Sequence, residues 1–164
     1  MIKIKTVIQA LASHEVDFVI IGGVAIHAYS SAYLTDDFDF CYSRNIENLK
    51  KITAALAPFK PRFRNFPKDL PFVWDERILQ SGTNFTLETE IGDIDLLGEV
   101  AGVGDFQTVK INSELVTFYG FEISILTINA LIKAKKAAGR TKDLLILPEL
   151  EGLKDLISKV TGEE

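Results

Sequence analysis

The sequence is poor in the residues that build covalently stapled or zinc-held scaffolds. It has one cysteine, Cys41, and two histidines, His14 and His27, in 164 residues. A lone thiol makes no internal disulfide, and one cysteine with two scattered histidines does not supply the ligands of a structural zinc site. Positive charge is also short: 18 Lys and Arg against 23 Asp and Glu leave a net charge of −5. That excludes the broad basic field of a general nucleic-acid binder, so a polyanionic ligand has to be met by metal or by a local cluster of Lys and Arg. Long apolar runs are missing as well. The uncharged stretch from Phe18 to Leu34 contains Gly22, Gly23, His27, Ser30 and Ser31, and falls short of the roughly 20 apolar residues of a spanning helix. Lys3 and Lys5 precede a shorter apolar run that Gln9 and His14 interrupt, which does not fit a secretory signal. There is no repeat, low-complexity tract or linker. The expectation is one cytoplasmic domain over residues 1–164, with no membrane segment.

What is present is an ordinary globular composition, 47% hydrophobic and 25% charged, with clear periodicity. Ile4, Val7, Ile8 and Leu11 recur at helical spacing. Phe18 to Ile21 is a short β-branched run that ends in Gly22-Gly23, a buried strand meeting a tight turn, and Val24 to about Ser31 then reads as a helix. Asp37 to Tyr42 alternates, the period of a strand with one polar and one buried face. Ile46, Leu49, Thr53 and Leu56 mark a third helix closed by Pro58. Residues 58–75 hold four of the five prolines and read as irregular, with a short helix after Asp75. Two hairpins follow, one over residues 85–97 and one around Gly120, joined by a glycine-containing connection from Gly98 to Asp105. Thr127 caps a helix running to about Gly139, and a last helix is expected from about Pro148 to Val160. The order implies an α+β fold, a mixed sheet with helices packed against it and a C-terminal helical extension. The core lies at about 15–126 and the terminal helices at about 127–160.

One constellation carries chemistry. In Thr35-Asp36-Asp37-Phe38-Asp39-Phe40, residues two apart share a face, so Asp37 and Asp39 project together while Phe38 and Phe40 enter the core. Two adjacent carboxylates repel unless a cation lies between them, and hard divalent ions favour carboxylate and phosphate oxygens. Gly22-Gly23, where a strand gives way to a helix, lets backbone N–H groups approach a phosphate. Thr35 is placed to add a hydroxyl. Taken singly, an Asp-x-Asp pair is more often a solvated strand edge and a Gly-Gly pair a tight turn; the three-glycine spacing of a dinucleotide fold is absent. Their joint order distinguishes this sequence. His27 and Cys41 read as packing residues, and the Arg and Phe mixture at 59–66 as a basic loop over a hydrophobic patch, with base stacking as its alternative.

That order resembles the nucleotidyltransferase superfamily typified by DNA polymerase β, and more closely the minimal nucleotidyltransferases of toxin–antitoxin and abortive-infection systems. The match stands on Val19-Ile20-Ile21-Gly22-Gly23 and Thr35 to Phe40. The family adds a third carboxylate from a later strand. Asp93 and Asp95 both qualify, and alternation does not separate them; the family pattern of an acid followed by leucines favours Asp95. Lys133, Arg140 and Lys142-Asp143 follow the family's order of basic residues and imply a cationic wall against a triphosphate, although the helix dipole alone also favours bases there. Gly-Gly stands where Gly-Ser is common, which removes one phosphate-contacting hydroxyl.

The resemblance implies Mg²⁺ or Mn²⁺, two ions held by Asp37, Asp39 and Asp95, and phosphates held by Gly22, Gly23 and Thr35. It implies transfer of a nucleoside monophosphate, AMP by default, from a nucleoside triphosphate to a hydroxyl on RNA, protein or a small molecule, with release of pyrophosphate. A helical partner protein is a further implication. The rival reading is a non-catalytic, nucleotide-binding antitoxin or partner subunit.

Overall fold

The computed structural model describes residues 1–162, with the Thr161 side chain left aside. In chain order the elements are α1 (Ile4–Ser13), β1 (Phe18–Ile21), α2 (Gly22–Tyr29), β2 (Asp37–Tyr42), α3 (Ile46–Leu56), β3 (Arg62–Phe63), α4 (Glu76–Gln80), β4 (Asn84–Thr89) and β5 (Gly92–Leu97). Then come β6 (Glu99–Val100), β7 (Gly104–Asp105), α5 (Phe106–Ile111), β8 (Ser113–Phe118), β9 (Phe121–Leu126), α6 (Ile128–Ala138) and α7 (Thr141–Thr161). Seven strands form one mixed sheet in the order β3-β4-β5-β2-β1-β9-β8, and β6 and β7 make a separate ribbon. The architecture is the α+β arrangement expected, with α6 and α7 as the C-terminal extension.

The centre of the sheet positions the site. β2 runs antiparallel to β1 and parallel to β5. On its inner face Phe38, Phe40 and Tyr42 are fully buried and meet edge to face, with ring centroids 6.1 and 6.4 Å apart. Each such side chain contributes about 2–3 kcal/mol by leaving water, which anchors β2 in one register. A slip of one residue would move the aromatics out and the aspartates in. Buried Asn48 ties α3 to the start of β1: it accepts from the Asp17 N–H at 2.7 Å and donates to the carbonyls of Asp17 and Ser43 at 3.1 and 2.8 Å. Its own N–H is taken by the Asn45 cap at 2.9 Å, so no polar atom of this joint is stranded.

Four local differences from the sequence reading have physical causes. α2 starts at Gly22, two residues earlier than expected, because Gly22 turns directly out of β1 at φ +66°. The proline-rich segment is not wholly irregular: a 3₁₀ turn at Ala57–Phe59 leads to β3, which pairs with β4. The segment after Gly98 contains the β6–β7 ribbon and then α5, whose start is capped by Asp105 accepting from the Thr108 N–H at 3.0 Å. The last helix begins at Thr141, not near Pro148. Asp143 closes a capping box with Arg140 at its first turn, and Pro148 is carried inside the helix, where it removes one hydrogen bond. No helix among the described residues is long and apolar enough to cross a membrane.

Candidate metal and nucleotide site

β2 and β5 bring the acids together. Their parallel register sets Asp37 beside Asp93 and Asp39 beside Asp95. Carboxylate oxygens of Asp37, Asp39 and Asp95 all lie within 4.8 Å of one another. Oxygens that ligate one hard divalent ion at about 2.0–2.6 Å are at most about 5 Å apart, so this spacing fits such an ion. Asp93 is not in the cluster. Its side chain is 42% exposed against 20% for Asp95, and it faces the Arg64 guanidinium at 3.4 Å.

Asp39 is more enclosed than Asp37. Its Oδ1 is buried and has no hydrogen-bond partner, a state that is costly unless a ligand completes it. Burial pushes its carboxyl up to about 7, helped by the negative charges of Asp95 and Asp37 and opposed by Lys135. Asp37 is also raised, by burial first and then by Asp95, with Arg64 and Lys142 working against the rise. A carboxylate cluster of this kind is short of positive charge, which a divalent cation supplies.

The glycines are explained by contact. Gly22 sits in the left-handed region at φ +66°, and a Cβ there would fall inside the Asp39 carboxylate. A Cβ on Gly23 would come within 2.5 Å of Thr35 Oγ1. The two glycines therefore let the start of α2 close directly onto Asp39 and Thr35. α2 carries no side-chain cap, so its leading N–H groups, with their share of the helix dipole, are not taken up by a capping side chain. The Thr35 hydroxyl donates to the Asp37 carbonyl at 3.2 Å and lies 3.4 Å from the Asp37 N–H, which fixes the entry of β2.

Beside Asp39, a cavity of about 140 Å³ opens between β1, β2 and β5 and the helices α6 and α7. Leu97, Val100, Leu131 and Ala134 give it an apolar wall, and Asp39, Lys135, Arg140 and Asp143 its polar atoms. Asp143 is fully buried. It accepts from Arg140 Nε at 2.6 Å, Arg140 Nη2 at 3.2 Å, the Arg140 N–H at 3.2 Å and Lys135 Nζ at 3.2 Å. Burial alone would raise its carboxyl, but the hydrogen bonds and charges of Arg140 and Lys135 prevail and hold it down at about 2.

Among the basic residues expected from the sequence, Arg140 reaches the cavity and is tied to Asp143. Lys142 is exposed, with its charge felt at Asp37. Lys133 is exposed and does not line the cavity. Two basic residues not singled out by sequence do reach the site: Lys135 and Arg64. Lys135 has a signal, since it falls four residues after Leu131 and seven after Ile128 on the buried face of α6. A lysine in an apolar stripe points to a buried partner. Arg64 has none, because its role depends on β3 pairing with β4. The aromatics around it form a small core, with Phe63 stacked on Phe85 at 5.9 Å and in edge contact with Phe66 and Phe72, and not a stacking platform. His27 is satisfied by the Tyr33 carbonyl at 2.7 Å, and Cys41 is a buried thiol raised to about 12 by burial, both as expected of packing residues.

No protein-family model and no curated protein matches the sequence. Solved structures do. A candidate nucleotidyltransferase from Thermotoga maritima (TM1012) superposes with a TM-score of 0.56 at 14% identity, over 93% of this chain and 96% of that one. ANT(2″)-Ia in complex with adenylyl-2″-tobramycin gives a TM-score of 0.58 at 13% identity, covering 96% of each chain. The solution structure of the same antibiotic-resistance factor gives 0.55 at 14% identity, over 97% of this chain and 91% of that one. At these identities the likeness is one of fold: this chain shares the architecture of these structures and carries an acidic triad spaced to coordinate a metal.

Proposed function

We propose that the chain is a metal-dependent nucleotidyltransferase that moves a nucleoside monophosphate from a nucleoside triphosphate to a hydroxyl of an acceptor, with release of pyrophosphate. The observation that carries this reading is the convergence of Asp37, Asp39 and Asp95 with an orphaned Asp39 oxygen against the uncapped start of α2. Asp37 and Asp39 would hold Mg²⁺ or Mn²⁺, two ions in this reading, and Asp95 would complete one of the sites. Bound there, the ions supply positive charge to the phosphates and to the oxygens of the attacking and leaving groups. Asp95 would also act as, or lie near, the base that deprotonates the acceptor hydroxyl. The N–H groups at Gly22 and Gly23 and the Thr35 hydroxyl receive the β- and γ-phosphates. The apolar cavity beside Asp39 receives the less polar part of the nucleotide, with Arg140 in its lining, and the exposed Lys133 and Lys142 add positive charge for the phosphates.

AMP as the transferred group is supported by the adenylyl-tobramycin bound to a protein of the same fold. The acceptor, whether RNA, protein or small molecule, is not fixed by any residue named above. Residues 1–164 act as one unit in this reading, the sheet giving the acids and α6–α7 the basic flank, in a cytoplasmic setting. A place beside a helical partner in a toxin–antitoxin-like pair rests on the motif order alone.

Calorimetric titration with ATP and Mg²⁺ tests the site. Wild type binds, and the Asp37→Asn/Asp39→Asn double variant loses at least about tenfold in affinity, since two charged ligands are removed. Equal binding by both proteins overturns the assignment. Wild-type binding without transfer of label from α-labelled ATP to RNA or protein acceptors favours the non-catalytic partner subunit instead.

A further inference from the structure

Arg64 is the one cation in hydrogen-bond contact with a member of the triad among the described residues. It follows β3 directly and is fixed from several directions. Its backbone N–H donates to the Thr86 carbonyl at 2.9 Å. Its Nη2 donates both to the Leu87 carbonyl at 3.0 Å and to Asp95 Oδ1 at 2.8 Å. Its Nε lies 3.4 Å from Asp93 Oδ2 and is buried without a hydrogen-bond partner. The guanidinium is thus pinned by the β4 backbone over the acids of β5, and one oxygen of Asp95 is already in use.

A pinned monocation at a divalent-ion site has two opposed effects. It orients Asp95, which favours binding by about one hydrogen bond. It also repels a doubly charged ion that shares the same carboxylate, and over a few ångströms this repulsion is the larger effect at the effective dielectric of a protein site. A triphosphate entering from the α2 side brings enough negative charge to offset it. We propose that Arg64 is a resident counter-ion of the triad, which weakens metal binding by the free protein and couples ion uptake to arrival of the nucleotide. The proposal rests on the reading of the triad as a metal site.

Titration of Mn²⁺ alone, followed by calorimetry and by the Mn²⁺ electron-spin resonance signal, tests it without reference to activity. Arg64→Met keeps the apolar stem and removes the charge. It should bind Mn²⁺ about tenfold tighter than wild type or more, while Arg64→Lys, which keeps the charge, stays within about threefold of wild type. A non-hydrolysable ATP analogue should tighten Mn²⁺ binding in wild type more than in Arg64→Met. Arg64→Gln serves the same purpose if the methionine variant does not fold. Equal or weaker Mn²⁺ binding on loss of the charge overturns the proposal and leaves the triad standing. Tight Mn²⁺ binding that survives Asp39→Asn in the Arg64→Met background places the ion elsewhere, and overturns the triad and the proposal together.

Discussion

Asp39 and Asp143 line the same cavity and are both withdrawn from water, yet their carboxyls end far apart: one is pushed up to about 7 and the other held at about 2. Desolvation is the first cause acting on each and pushes both upward. The neighbours decide the outcome. Asp39 meets two more carboxylates and has one oxygen without a partner. Asp143 meets Lys135, the Arg140 guanidinium and a backbone N–H. The chain has therefore completed one buried acid internally and left the other with an unpartnered oxygen, which is the difference between a structural joint and a candidate binding site.

The comparison can be broken most forcefully at the joint. Asp143→Ala leaves Lys135, whose side chain is 18% exposed, beside an empty space and removes the cap of α7. A loss of about 3 kcal/mol at pH 7 is expected in urea denaturation. Because the folded carboxyl lies below its unfolded value, this stabilisation is present above about pH 4 and fades as pH falls toward 2. Acid sensitivity in that window should shrink in the variant; an unchanged acid limb removes Asp143 as its source.

The site gives the opposite sign. With the Asp39 carboxyl raised toward 7 from 3.8, the folded state holds its proton more tightly than the unfolded chain. Its contribution is full below about pH 4 and lost as pH rises through 7. In chelator, Asp39→Asn should therefore be more stable than wild type at pH 8, by about 2 kcal/mol once sharing of the charge with Asp95 is allowed for. The gain should vanish at pH 4. Identical stability profiles for the two proteins would show that Asp39 carries no such penalty.

Arg140→Gln is the smallest change. Arg140 is 61% exposed at its side chain, so water compensates much of what is lost, and no more than about 1 kcal/mol is expected. The acid limb should move upward by a fraction of a pH unit, with Lys135 still in place. A loss as large as that of Asp143→Ala would make the exposed arginine, and not the buried lysine, the main partner.

Much of this was readable from the residues. The alternation through Phe38 and Phe40 put Asp37 and Asp39 on one face, and the core confirmed it by burying both rings. The choice between Asp93 and Asp95 was not readable from alternation, because it depends on how far β5 slides along β2, and that register is set by residues remote in sequence. Lys135 lay hidden in a run of lysines until the buried face of α6 was known. α5 escaped because six residues give too little periodicity, although Asp105 and Thr108 form its cap. Pro148 drew the start of the last helix too far along, since proline favours a first turn, while the cap at Asp143 outweighed it.

The parallel pairing of β2 with β5 also bears on how the chain folds. Asp39 and Asp95 sit directly across from one another, so zipping these strands drives like charges together. The two strands are separated by a long intervening segment whose ends must first be closed. In the absence of divalent ions this step carries both an entropic and an electrostatic barrier, and the middle of the sheet should be the slowest part to assemble. An ion held between these carboxylates would relieve the second barrier, so added Mg²⁺ should speed refolding of wild type and leave the rate of Asp39→Asn less changed.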